Sequence, residues 1–199
     1  MKVIEMGKRK SLTYAEHLGV SERIKESLTI LHETSARIEG GFGRRSKAFK
    51  IIQQIIRTLD NKLIPQLSVA VLRDCGERDQ DELSKTYQVE AVSETHSAGK
   101  PQPLTYAEYL EIGIRIKAAR ALLHDNLLLL ICNGLGTSSK VCRIIWSITQ
   151  QLDMELKNEL DNLVFRDHED RDTNELIGTN YGPTCNDRVV RLTKPRPTR

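Results

Sequence analysis

One block of this sequence occurs twice, and a repeat of that length constrains the architecture more than any single motif does. Leu12-Thr-Tyr-Ala-Glu-His-Leu18 returns as Leu104-Thr-Tyr-Ala-Glu-Tyr-Leu110. Arg23-Ile-Lys25 returns as Arg115-Ile-Lys117, and His32 as His124, at a constant offset of 92. After one inserted residue the offset is 93, so that Gly41 and Gly43 match Gly134 and Gly136, and Leu59-Asp60 matches Leu152-Asp153. The match ends on a repeated R-D-x-x-x-R-D: Arg73, Asp74, Arg78 and Asp79, then Arg166, Asp167, Arg171 and Asp172. Eleven of 21 positions are identical over 12–32 and 19 of 46 over 41–86, which places the correspondence beyond coincidence.

Each copy reads as a helical hairpin. Thr13 with Glu16, and Thr105 with Glu108, give the T-x-x-E of a capping box. The first helix then runs to about residue 38, with Ala15, Leu18, Ile24, Leu28, Leu31 and Ile38 as its expected apolar stripe. The paired glycines supply a turn. A second helix follows, with Phe49, Ile52, Ile56, Leu59, Leu63, Leu67 and Ala70 at 3-4 spacing. A hairpin buries one face only, so the expected fold is all-α: a four-helix bundle made of two duplicated hairpins, packed within one chain or exchanged between two. The expected organisation is a basic tail over 1–11, a first hairpin over 12–87, a linker over 88–103, a second hairpin over 104–181 and a basic tail over 182–199.

Charge sharpens this division. The chain carries +3 overall, but 1–11 carry +3 and 188–199 carry +5, which leaves −5 for the residues between. The basic balance therefore belongs to the tails, and a nucleic-acid surface spread over the whole body is disfavoured. Aromatic residues are only 5% of the chain, against an all-β sandwich, and the four Cys form no C-x-x-C pair, against a zinc finger. The first ten residues lack the apolar stretch of a secretory signal, and the apolar run ending at Cys132 is too short to cross a bilayer, so a cytoplasmic protein is expected.

The antiparallel course of a hairpin brings its two ends together. The expectation is therefore one pole that gathers Tyr14, Glu16, Tyr106 and Glu108 with Arg73, Asp74, Arg78, Asp79, Arg166, Asp167, Arg171 and Asp172. Arginine forks there suit carboxylates of a protein partner. A second surface, Arg44, Arg45, Lys47 and Lys50 with Arg188, Arg191, Lys194 and Arg196 of the tail, suits nucleic-acid phosphates. His32 and His124, at equivalent depths, could meet as metal ligands, although the E-x-x-H spacing of di-iron bundles is missing. Asp60 and Asp153 correspond as well, and a buried carboxylate pair could do acid–base work. No Walker loop, nucleophile elbow, dinucleotide fingerprint or H-E-x-x-H is present. No cofactor is expected.

Glu39-Gly-Gly-Phe-Gly-Arg-Arg-Ser-Lys-Ala-Phe49 resembles the E-G-x-x-R-x-S turn, followed by a helix opening with phenylalanine, of the ribosomal-RNA intervening-sequence family. The resemblance implies a helical bundle that oligomerises, sometimes through basic surfaces that contact nucleic acid or a nucleic-acid enzyme. The residues themselves favour a non-catalytic interaction or scaffold protein. The alternatives are an accessory nucleic-acid binder and a metal-dependent bundle enzyme on His32 and His124.

Overall fold

The computed structural model describes residues 11–88, 101–130 and 136–169, and among these the protein is all-α. Helix α1 (Tyr14–Phe42) is followed by α2 (Lys47–Thr58), a π-helical turn (Leu59–Leu63), α3 (Ile64–Asp74) and the short α4 (Gln80–Lys85). Helix α5 (Tyr106–Leu130) then leads to α6 (Lys140–Gln150), a second π turn (Gln151–Leu156) and α7 (Lys157–Asp167). No described helix is long and apolar enough to cross a membrane. Residues 170–181 and most of the two tails and the linker lie outside the described residues.

The expected caps are present. Thr13 Oγ1 accepts from the Glu16 amide while the Glu16 carboxylate accepts from the Thr13 amide at 2.7 Å, and Thr105 with Glu108 does the same at 2.7 Å. Ser46 and Ser139 cap α2 and α6 by accepting from the amides of Phe49 and Cys142. Just before these caps Gly43 and Gly136 take φ of 75° and 72°, a conformation an L side chain resists.

The second helix of each copy is not one straight helix as expected, and the reason lies in its spacing. Leu59, Leu63, Leu67 and Val71 are all fully buried, as are Leu152, Leu156, Leu160 and Val164. A residue every four positions advances about 40° per step around an ideal helix, or about 120° over three steps. A π turn, with its i→i+5 bonds from Ile64 to Leu59 and from Lys157 to Leu152, unwinds the helix and keeps that row on the core. Pro65 follows the first turn but Asn158 the second, so proline is not the cause.

The start of the α1 stripe also differs from expectation. Ala15 and Leu18 face solvent, and His17 and Val20 are buried in their place. Further along, Ser27, Thr34 and Ser35 are buried with the aliphatic residues. Ser27 and Thr34 return their hydroxyls to the carbonyls of Arg23 and Ile30, both at 2.7 Å, and Gln53 donates to Ser35 at 2.9 Å. These short satisfied side chains let α1 lie closely on α5.

Helices α1 and α5 are antiparallel. Arg37 pairs with Glu111 at 2.5 Å, Arg115 with Glu33, and the Asn126 amide donates to the Val20 carbonyl at 3.3 Å. The α5 start lies against the end of α1: the Gln102 amide donates to the Gly40 carbonyl at 3.0 Å, and the rings of Phe42 and Tyr109 are 5.6 Å apart. Helices α2 and α6–α7 also run oppositely, since Lys47 near the start of α2 pairs with Glu159 of α7 at 3.1 Å. One continuous apolar cluster joins all these elements, from Leu12 and Ile24 through Ile52 and Leu63 to Leu123, Ile145 and Val164.

Candidate functional site

The most buried polar constellation joins the start of α1 to the end of α3. His17 replaces an expected apolar position there and is fully buried. Its Nε2 lies 3.2 Å from Asp74 Oδ2 and its Nδ1 3.0 Å from the Tyr87 hydroxyl. Asp74 also accepts from the Leu12 amide at 3.3 Å and from Arg73 Nε at 2.7 Å. Burial lowers the pKa of His17 below the ordinary imidazole value, against the pull of Asp74, so the ring is neutral at pH 7. Burial alone would raise Asp74, but the Arg73 hydrogen bond and charge, with the bonds from His17 and Leu12, hold its carboxyl below the usual range. Burial pushes the Tyr87 phenol up, so it remains protonated.

The segment after α3 closes over this site. Asp79 accepts from the Asp81 amide at 2.9 Å and so opens α4, Leu83 enters the core, and Ser21 Oγ donates to the Thr86 carbonyl at 2.5 Å. Arg78 lies over the Tyr14 ring with its guanidinium carbon 4.4 Å from the centroid, and its Nη1 is 3.9 Å from Glu82 Oε1.

The second copy builds a counterpart with another acid–base partner. Tyr109 stands where His17 stands in the first copy, and its hydroxyl donates to Asp167 Oδ2 at 2.6 Å. Arg166 Nε binds Asp167 Oδ1 at 2.6 Å, as Arg73 binds Asp74. Burial, then the bond to Asp167, raises the Tyr109 phenol. His168, aligned with Cys75, sets its ring edgewise to Tyr106 and Tyr109, with centroids 5.8 and 5.5 Å away.

The expectation of one shared pole is overturned. Asp74 lies at the start of α1, whereas Asp167 lies at the start of α5, beside the end of α1. The 29 residues of α1, about 43 Å of helix, separate them. Arg73, Asp74, Arg78 and Asp79 are thus at one end and Arg166 and Asp167 at the other, while Arg171 and Asp172 lie outside the described residues. Tyr14 and Glu16 are likewise parted from Tyr106 and Glu108. The cause is the antiparallel seating of α5 on α1, which inverts the first helix of the second copy against that of the first.

The same inversion parts His32 and His124. His32 lies next to the Glu33–Arg115 contact, whereas His124, two residues before the Asn126 that bonds to Val20, lies about ten residues or roughly 15 Å away along α1. Among the described residues no three His, Cys, Asp or Glu side chains are grouped to hold a metal ion. Asp153 pairs with Arg120 at 2.5 Å, whereas burial raises the Asp60 carboxyl, partly offset by the charge of His32. The two carboxylates therefore sit in different surroundings.

Of the basic residues singled out in the sequence, Arg44 is paired with Glu39 and Lys47 with Glu159, whereas Arg45 and Lys50 are exposed. Arg188, Arg191, Lys194 and Arg196 lie outside the described residues. The sequence signal for the buried clasp is that the His17/Tyr109 exchange is the one difference within an otherwise identical seven-residue match. Comparisons with protein-family models, with curated proteins and with solved structures give no match to this chain.

Proposed function

We propose that this chain is a four-helix bundle of two duplicated, mutually inverted hairpins and that it works as a non-catalytic interaction module. The matched polar residues support the reading, because Thr13, Glu16, His17, Asp74, Asp79, Tyr109 and Asp167 are all engaged in internal hydrogen bonds. The observation that carries it is a surface on α3. Val69, Leu72 and Arg73 stand at i, i+3 and i+4 on one exposed face, Val69 64% and Leu72 42% accessible.

Arg73 binds Asp74 through Nε at 2.7 Å, and its side chain is 57% accessible beside the buried Asp74. The face fits a protein segment that sets an aliphatic side chain on Val69 and Leu72 and a carboxylate on Arg73. The matching positions of α7 are Asn162, Phe165 and Arg166, so the two ends would select different partners. Cross-linking in cells with a photoreactive residue at the exposed position 65, one turn before Val69, carried out in the wild-type, V69D/L72D and R73A backgrounds, tests the reading. One adduct lost in the α3 variants supports it; an adduct pattern unaffected by all three substitutions refutes it.

A further inference from the structure

We infer that the groove between the end of α2 and the start of α6 binds single-stranded nucleic acid, gripping phosphates and stacking a base on Trp146. This site uses residues apart from the α3 face and goes beyond the interaction reading. The groove is open to solvent, has a volume of about 380 Å³ and is lined by Thr58, Lys62, Lys140, Arg143, Ile144 and Ser147. Three cations therefore converge on one open furrow, and among the described residues none of the three has a carboxylate within ion-pair distance.

The charge is segregated by element. Helices α2 and α6 together carry five Lys or Arg and no Asp or Glu, although the region between the two basic tails sums to −5. Lys140 is the first residue of α6, so the positive end of that helix adds to the field of the side chains. Both the open shape and the spread of cations suit a chain of phosphates better than a small enclosed metabolite.

Trp146 selects among polyanions. It is the single tryptophan of the chain, follows Arg143 by three residues on α6 and is 55% accessible. Trp146 stands outside the groove lining, three residues beyond Arg143 on the same helix. A cationic groove with an exposed ring on the helix that walls it is a combination that holds unpaired bases, because every base offers a face to stack. A duplex hides those faces, and an acidic protein has none.

The test uses the full chain, a fluorescein-labelled oligouridine of about 15 nucleotides, a duplex of equal length and polyglutamate. Anisotropy and tryptophan quenching are read across a salt series. The expected result is saturable oligouridine binding that quenches Trp146. The K62A/K140A/R143A variant then flattens the slope of log K on log salt by about 2, at roughly 0.7 per phosphate contact. W146A weakens binding roughly tenfold with the salt slope unchanged, and K62R/K140R/R143K, which keeps the charges, binds as wild type. No binding at low salt overturns the proposal. So does an unchanged slope in the triple alanine variant, which would place the contacts on the tails. Tighter binding of the duplex, or equal binding and quenching by polyglutamate, overturns it too.

Discussion

Replacing Asp74 by alanine tests the energetic core of this structure. The side chain is 2% accessible and accepts hydrogen bonds from His17, Arg73 and the Leu12 amide. Truncation leaves His17 and the Leu12 amide without their acceptor at the end of the core, where each orphaned donor costs about 1–3 kcal/mol. The whole clasp includes a charge-assisted bond, so the loss should reach about 3–5 kcal/mol. For a chain of this size each kcal/mol shifts Tm by about 2–4 °C, which predicts a fall of roughly 6–20 °C. The control is Asp79→Ala, which removes an exposed cap worth about 1 kcal/mol. Urea unfolding followed by far-ultraviolet circular dichroism reads both variants. A loss for D74A no larger than that for D79A would refute the view that a satisfied buried carboxylate holds this end closed.

Other consequences are as direct. His17 has a lowered pKa in the folded state, so its contribution is complete above the unfolded value of about 6.5 and is lost as pH falls through the folded pKa; wild type should therefore lose stability below about pH 6.5, and H17Q should flatten that part of the curve measured by urea midpoints. A Cβ at Gly41 would run into the Leu104 side chain, so G41A should cost about 1–3 kcal/mol and L104A should recover part of it in a double-mutant cycle. Leu63→Ala empties a fully buried site and should cost about 2–5 kcal/mol, whereas Val69→Ala, 64% accessible, should stay within about 0.5 kcal/mol by chemical denaturation.

What could be read from the sequence was local. The capping boxes of Thr13 and Thr105 and the positive φ of Gly43 and Gly136 depend on neighbours within a few residues and are found where expected, whereas Gly41, also expected in the turn, is buried inside α1, and Gly134 lies outside the described residues. The two π turns were legible in principle, because leucines at 59, 63 and 67 and at 152, 156 and 160 keep a period of four that a straight helix does not. The relative direction of α1 and α5 was not legible. It rests on pairs such as Arg37–Glu111 and Glu33–Arg115, whose members are 74 and 82 residues apart and bear no local mark of each other. The candidate site failed for the same reason: Arg73-Asp74 and Arg166-Asp167 are repeated in sequence, but the repeat carries no statement of which end of the molecule each closes.

The histidine at one clasp and the tyrosine at the other give the molecule a chemical polarity that its repeated sequence hides. Mild acid adds a proton at the His17–Asp74 bond itself, whereas the Tyr109–Asp167 bond has a donor that keeps its proton throughout. Fraying on acidification therefore starts at Tyr87 and the short helix above His17, and travels inward from there, so amide exchange should become asymmetric along α1 before the protein as a whole unfolds.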